Sequence, residues 1–445
     1  MATGFSANSK HPRIDKITVK GFKCFRDEVS LDIGNLTLLC GRNSSGKSSF
    51  LQPALLMKQT YWSPVDAGPL DLDGQNARFD RAAELFWRGK VKSDRSEQFE
   101  VGFTVGDLER RHIFRLDSRQ HIQLEHVTLS KNGQTLTLSP GHDLPESAYA
   151  LATEFGAMRR VSGHSAGQTS ARVRRTRCDA RVMQFEGNSG LGSREYGPDL
   201  AKILGRWLHV PGFRGSPERE YSAIRPPNTS FPGWFHQYTA GVLREWQEKN
   251  KKRLQSLGEL LRELELTWKV RVQERTDTRV SLLVGRTRAS QTGGASDLVS
   301  IADVGFGVSQ VLPVLVALLV AKPGDVVHIE QPELHLHPKA QYELGRVIAT
   351  VAMIGKAVVV VETHSMPLLR GAQATIATMS NSLRQEQYTA YAHWFERSED
   401  GAAQVTSTRM LADGSLPDWP EDLAQASLDA DLSYLRASLP GMPRN

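Results

Sequence analysis

Hydrophobic and polar positions alternate in the two-residue rhythm of a strand at the start of this chain. Ile14–Val19 follows it, Gly21 turns the chain, Val29–Ile33 repeats it, and Leu36–Cys40 reads as a buried strand. The rhythm then changes. Ser48–Gln59 reads as a helix, and Pro53 inside it predicts a bend near 49–53, because a mid-helix proline removes a hydrogen bond and costs roughly 3 kcal/mol. Within Gln98–Leu138, Phe99–Val105, His112–Leu116 and Ile122–Leu129 alternate again, which predicts an antiparallel sheet. Leu243, Trp246, Leu254, Leu257, Leu261 and Leu264 lie at helical spacing in a charged stretch, so one amphipathic helix is expected there, packed on a sheet. It is too short for a coiled-coil arm. Val280–Val284 is another strand. Asp325–Ile329 and Val358–Val361 are apolar runs with polar ends, as buried parallel strands are. No internal repeat is visible.

Composition narrows the class. At 445 residues the chain exceeds one ordinary core, so one elaborated domain or two are expected. A net charge of +6 and a pI near 9.1 permit a nucleic-acid partner without requiring one. Cys24, Cys40 and Cys178 have no paired spacing, which argues against a disulfide framework or zinc site. Met1–Arg13 has no apolar stretch and reads as a disordered lead-in, not a signal peptide. The longest apolar run, Val311–Ala321, is too short to span a bilayer. A soluble cytoplasmic protein with no membrane partner is expected.

The chemistry begins at Gly41-Arg42-Asn43-Ser44-Ser45-Gly46-Lys47-Ser48, followed by Ser49. Glycine, four residues, then Gly-Lys-Ser is the spacing of a phosphate-cradling loop. Glycines let successive N–H groups point at one anion, Lys47 brings charge to the outer phosphates, and the Ser48 hydroxyl suits Mg2+. A strand before it and a helix after it supply the required context.

Glu330 ends the strand 325–329 and is expected to hold magnesium from a strand beside that of the phosphate loop. Val358–Val361 runs into Glu362-Thr363-His364-Ser365, and His364 at that tip reads as functional. Gly305-Phe306-Gly307-Val308-Ser309 opens the apolar helix and makes a second anion-receptive N-terminus. Two such starts in one chain suggest that one serves a neighbouring subunit. Ala157–Arg181 holds seven arginines, at 159, 160, 172, 174, 175, 177 and 181, among Gly and Ser. It reads as a mobile loop, with Arg159, Arg160, Arg172, Arg174, Arg175 and Arg177 as candidates for DNA or RNA phosphates, against a merely solvated segment.

Taken in order, these pieces resemble the ATP-binding-cassette ATPases of the SMC, RecF and OLD-like group. Ile17–Phe25 is similar to the opening strand of SMC-type heads. Ile329-Glu330-Gln331-Pro332-Glu333-Leu334-His335-Leu336-His337-Pro338 resembles the Walker B and D-loop region, and Glu362–Ser365 the switch-histidine loop. Ala412–Pro420 resembles a small C-terminal domain of one bacterial branch. The resemblance implies an α/β ABC-ATPase head with a mixed, mainly parallel P-loop sheet, an N-terminal antiparallel part and a helical, loop-rich insertion. It implies a lead-in at 1–13, an N-terminal lobe at 14–140, an insertion at 141–290, a C-terminal lobe at 291–390 and a small domain at 391–445.

The resemblance also implies ATP and Mg2+ as cofactors and an ATP-dependent homodimer or higher oligomer. Gly305, Phe306 and Gly307 fall on the signature motif, with glycine where serine is usual and Ser309 as its substitute. Lys23 would lie near the nucleotide, and Gln75 would take the Q-loop position at the metal. Gln331 stands where the catalytic glutamate normally is. A neutral amide orients water but accepts no proton, so general-base help of about 10² to 10⁴-fold would be lost unless Glu333 supplies it. A slow ATPase acting as a timer follows, working on nucleic acid or on an effector nuclease encoded nearby, in anti-phage defence or DNA maintenance. A second reading is an OLD-like nuclease in its own right, using Asp429 and Asp431. A third is a transporter ATPase subunit, which the poor signature match and the basic insertion oppose. Arg214, in Val210-Pro211-Gly212-Phe213-Arg214, resembles an arginine motif of this branch and has no assigned role.

Overall fold

A computed structural model describes residues 12–91, 94–158, 169–186, 189–193, 198–225, 231–286, 297–355, 357–379 and 388–418. The chain opens with β1 (Lys16–Lys20), β2 (Val29–Asp32) and β3 (Leu36–Gly41), then α1 (Lys47–Trp62). Next come β4 (Gln98–Val105), β5 (Leu108–Leu116), β6 (Ile122–Lys131) and β7 (Gln134–Leu138). These build an antiparallel sheet in the order β2-β1-β4-β5-β6-β7, where the alternating segments were expected. The inserted region holds α2 (Tyr149–Glu154), β8 (Thr169–Thr176), β9 (Asp179–Glu186), β10 (Ser189–Ser193), α3 (Leu200–Gly205), β11 (Trp207–Val210), β12 (Tyr221–Ser222), α4 (Thr239–Lys249), α5 (Lys251–Glu263), β13 (Val270–Glu274) and β14 (Arg279–Gly285). The chain continues through β15 (Leu298–Ser300), α6 (Phe306–Val320), β16 (Val326–Glu330), α7 (Pro338–Met353), β17 (Val358–Glu362), α8 (Met366–Met379), β18 (Ala390–Arg397) and β19 (Ala403–Arg409).

The central sheet runs β11-β16-β17-β3-β18-β19, parallel except for β19. Its two faces feed two cores. Leu36, Leu38, Cys40, Val359 and Val361 pack with α6, α7 and α8, whereas Leu39, Val358 and Val360 pack with α1 and the antiparallel sheet. Burial on both faces explains why the valine run of β17 shows no alternation. α1 is tied to the insertion by the buried Lys58, whose Nζ donates to the carbonyls of Trp207 (2.8 Å) and Phe231 (3.0 Å).

Five expectations change. β17 lies between β16 and β3, so Glu330 ends a strand one removed from that of the phosphate loop. The helix expected over 243–264 is two helices, because Asn250 leaves helical geometry (φ −142°) and its side chain caps Arg253 N. Ala157–Arg181 is not a loop throughout. Residues 169–186 form the β8–β9 hairpin, since Ala171 and Val173 alternate inward with Arg172 and Arg174 outward. The boundary at 391 falls inside β18, which pairs with β3 along its length. α1 runs unbroken through Pro53. The lead-in, Arg159, Arg160 and the pair Asp429 and Asp431 lie outside the described residues, apart from Pro12 and Arg13.

His393 of β18 is buried between the two sheets. Its Nε2 lies 3.0 Å from the Asp32 carbonyl and its Nδ1 2.8 Å from Ser407 Oγ, which is the pattern of a neutral imidazole. Burial pushes its pKa down to about 4. A histidine depressed on folding adds stability that is present above its unfolded pKa and is lost as pH falls, at most about 3 kcal/mol over the window from about 6.5 to about 4. The melting temperature should fall across that window, and it should fall less steeply in His393→Gln. Identical pH slopes in the two proteins would contradict this assignment.

Candidate active site

The phosphate loop connects β3 to α1, and two glycines make its shape. Gly41 has φ 131° and Gly46 φ 115°, the left-handed side where side chains are disfavoured. A Cβ on Gly41 would sit 2.2 Å from the Phe395 carbonyl oxygen, and one on Gly46 would sit 2.7 Å from Cys24 Sγ. Ser44 also takes positive φ (60°), and its carbonyl is held by Arg397 Nε at 3.0 Å. Lys47 is buried and folded back on its own loop, donating to the carbonyls of Gly41 (3.0 Å) and Arg42 (2.7 Å). Burial lowers its pKa against the opposing charge of Glu362. Ser45 Oγ is buried without a partner, while Asn43 and Ser44 are exposed and Ser49 is half-buried. The cradle therefore has no room for larger residues at its two glycines and holds one unsatisfied hydroxyl.

Parallel register levels the strand tips. Glu330 pairs with Glu362, and His209 of β11 with His328 of β16. Glu362 is the carboxylate that meets the loop: Ser48 Oγ donates to its Oε2 at 2.5 Å, and His328 Nε2 lies 2.9 Å from its Oε1. The rings of His328 and His209 stack at 4.8 Å and 5°. His209 Nε2 lies 2.7 Å from Glu330 Oε1, with Asn76 Nδ2 3.3 Å from its Nδ1. Glu330 Oε2 accepts from Gly212 N at 3.0 Å. Arg214, buried behind, donates to the carbonyls of Glu330 (2.5 Å) and Gln331 (3.2 Å). Burial pushes His209 down to about 4, so it is neutral at neutral pH. Burial alone would raise Glu330, but the hydrogen bonds from His209 and Gly212 hold it well below the usual carboxylate range.

Glu333 sits on the turn after β16. Its Oε1 accepts from Thr363 Oγ1 and His364 N, both at 2.8 Å, and its Oε2 is buried without a partner. Burial raises its pKa. His364 is half-buried. Burial and then the Lys47 charge lower its pKa, against the Gly41 backbone. Gln331 has φ 43°, a strained backbone position for a residue with a side chain. The fold thus brings Lys47, Ser48, Glu333 and His364 to one end of the sheet with Glu330 and Gln331.

Lys23, at φ 48°, gives its Nζ to Gln52 Oε1 (2.6 Å) over the Phe79 ring. Gln75 is exposed with its side chain against Gly233. Gln59 of α1 holds the 71–77 loop through the Asp71 and Ala77 carbonyls. Gly305 and Phe306 are exposed at the start of α6, Gly307 is half-buried beside His335, and Ser309 Oγ donates to Phe306 O at 2.8 Å. Arg175 pairs with Asp66, Arg177 binds the carbonyls of Thr60 and Ser63, and Arg172 reaches Gly141 O, so these three arginines fasten the hairpin to neighbouring segments. Sequence reasoning missed Glu362, His328 and His209. The signal for His328 was its place two residues before Glu330, on the same strand face. His209 had no local signal.

These donors fit a magnesium-bound nucleotide. Ser48 and Glu362 offer adjoining oxygens, Glu330 lies beside them in register, and the glycine cradle with Lys47 supplies N–H groups and charge. Gly46→Ala should raise the dissociation constant for ATP at least about tenfold, because left-handed backbone and the Cys24 contact both refuse a Cβ. Isothermal titration with Mg-ATP measures this, and unchanged affinity would count against the cradle.

Two segments match known domain families. Residues 13–100 match an AAA ATPase domain, and residues 215–370 match a domain described as "AAA domain, putative AbiEii toxin, Type IV TA system". No curated protein matches the chain in sequence. Solved structures aligning with most of it include an Smc head bound to the C-winged helix domain of ScpA, at 13% identity and TM-score 0.48, covering 90% of this chain and 98% of that one. An Smc head with an extended coiled coil from Pyrococcus furiosus, bound to the C-terminal domain of ScpA, aligns at 11% identity and TM-score 0.46, covering 96% and 100%. The SMC head from Thermotoga maritima aligns at 9% identity and TM-score 0.39, covering 88% and 98%. No described helix is long and apolar enough to cross a membrane. The phosphate loop lies in the first matched segment and the acidic strand in the second, so the chain carries two AAA-type ATPase domain segments.

Proposed function

We propose that this chain binds ATP with Mg2+ across the phosphate loop and the tips of β16 and β17, hydrolyses it slowly, and uses the bound state as a switch. The observation that carries this reading is the direct contact of Ser48 with Glu362, with Lys47 and Glu333 alongside. Magnesium, when bound, would neutralise phosphate charge next to Ser48, Glu362 and Glu330. Lys47 leaves its loop carbonyls for the outer phosphates, and loop N–H groups stabilise charge on the transferring phosphoryl.

Water attacks the γ-phosphorus, the bond to the β–γ bridging oxygen breaks, and ADP and phosphate leave. The attacking water must lose a proton. Gln331 cannot take it, whereas Glu333 has one oxygen anchored, the other buried and free, and a raised pKa. Gln331 is left to orient the water. Single-turnover hydrolysis by Glu333→Gln should be slower by about 10² to 10⁴-fold with ATP still bound. A rate within twofold of the parent, by rough allowance for assay scatter, would remove Glu333 from the base role.

The switch is an ATP-dependent dimer. Gly305 and Phe306 are exposed at a helix N-terminus, where they are free to close on a nucleotide held by a sister chain. Ser309 spends its hydroxyl within the helix, so backbone N–H groups carry this contact. Phe306→Glu should abolish ATP-dependent dimerisation in light scattering while leaving monomer affinity for ATP intact. Dimers that persist in the variant would reject this interface.

The match to a putative AbiEii toxin domain of a Type IV TA system supports a role in toxin–antitoxin or anti-phage defence, acting on a partner effector such as a nuclease or on nucleic acid. For nucleic acid, the exposed Arg174 is the candidate contact among the described residues, since Arg172, Arg175 and Arg177 are bonded to other parts of the protein.

A further inference from the structure

We infer that His328 and His209 are positioning residues, a stacked pair that holds the strand-tip carboxylates Glu362 and Glu330 in fixed and mutually dependent orientations beside the phosphate loop. This rests on the reading of the site as an ATPase.

The parallel register places the four side chains in two rows on one sheet face, histidines below and glutamates above. The bonds run diagonally. His209 reaches Glu330 on the next strand, and His328 reaches Glu362 on the strand after it. The second oxygen of each carboxylate is also held, Glu330 by Gly212 N and Glu362 by Ser48 Oγ. A carboxylate bound at both oxygens cannot swing.

A carboxylate oxygen accepts these bonds, so each imidazole carries a proton on Nε2, and the neutral His209 leaves its Nδ1 as an acceptor. Asn76 Nδ2 stands 3.3 Å from Nδ1 of His209, which matches that tautomer. Nδ1 of His328 is buried without a partner, so its bond to Glu362 is the polar contact that sets its ring. With the rings parallel and in contact, neither can rotate without displacing the other.

The two ends of the pair have different meanings. At one end, Ser48 belongs to the phosphate loop. At the other, Gly212 and Arg214 belong to the loop that follows β11 and leaves the central sheet for the inserted region. Whatever moves residues 211–214 therefore acts on Glu330 directly and on Glu362 through the two rings. The same donors could be taken for a transition-metal centre, since ligand atoms of His209, His328 and Glu330 lie within 4.8 Å of one another. Stacked rings aim their lone pairs in parallel and not at one point, which favours the positioning role.

The test uses the full chain with His328→Phe, His209→Phe, the double variant, and His328→Gln. Phenylalanine keeps the stacked ring and removes the N–H, and glutamine restores a donor. ATPase rate is measured against Mg2+ concentration at saturating ATP, beside magnesium-free binding of a fluorescent ATP analogue. His328→Phe should raise the Mg2+ half-saturation about tenfold and lower kcat, with analogue binding unchanged and His328→Gln recovering most of the loss. The double variant should be no worse than the poorer single, because the pair acts as a unit. Multiplying effects would overturn the coupling, and an unchanged Mg2+ requirement would overturn the positioning role. Stoichiometric zinc in the purified protein, lost in either histidine variant, would replace the pair with a metal centre. Should His328→Phe fail to fold, the His209→Phe and His328→Gln comparison gives the same decision. Parent protein that binds no nucleotide at all would instead sink the ATPase reading beneath this one.

Discussion

Two carboxylates held level at the ends of adjacent parallel strands are the constraint on which this structure turns. Glu330 and Glu362 are drawn from strands separated by a whole helix of sequence, and the parallel ladder fixes them side by side. Charge removed from water must be met by hydrogen bonds or by opposite charge, or it neutralises. Here the N–H groups of His209 and Gly212, the Ser48 hydroxyl and the histidine behind Glu362 meet it. That leaves two ordered carboxylates beside the phosphate loop, oxygen donors of the kind a divalent cation takes.

The surrounding architecture maintains that condition. The phosphate loop keeps its shape because its glycines lie against Phe395 and Cys24, residues from opposite ends of the chain. α1 is anchored at its far end by Lys58 on two carbonyls of the inserted region. Arg214 fixes the backbone of Glu330 and Gln331 from the same region. The insertion is thus part of the site as well as an appendage of the head, and strain at Gln331 and Ser44 is held by contacts from both.

The hydroxyl and carboxylate that lie free within this frame decide what chemistry it can do. Among the described residues, Ser45 Oγ and Glu333 Oε2 are two of the buried polar atoms that protein groups leave unsatisfied. Glu333 differs from Glu330 in the balance: burial is the largest influence on both and raises Glu333, whereas at Glu330 the bonds from His209 and Gly212 and the neighbouring imidazoles together outweigh it.

The sequence by itself determined what depends on local chemistry. The glycine spacing of 41–48, the strand before it, the helix after it and the alternation of β4 to β6 were legible because phosphate loops and half-buried strands are written in consecutive residues. So were the apolar strands that end at Glu330 and Glu362. Only the tertiary structure decided strand order, and with it which acid meets Ser48. A buried strand reads the same wherever it sits in a sheet, so nothing in Val358–Val361 announces that it lies between β16 and β3. The same is true of His209, whose partner on the neighbouring strand is far away in sequence. Asn250 split one expected helix into two because a side-chain cap competes with the helix at a single residue, a contest that periodicity does not record. The arginines of the β8–β9 hairpin were misread for a related reason: composition suggested a solvated loop, and only the fold showed Asp66 and the carbonyls at the end of α1 waiting for them.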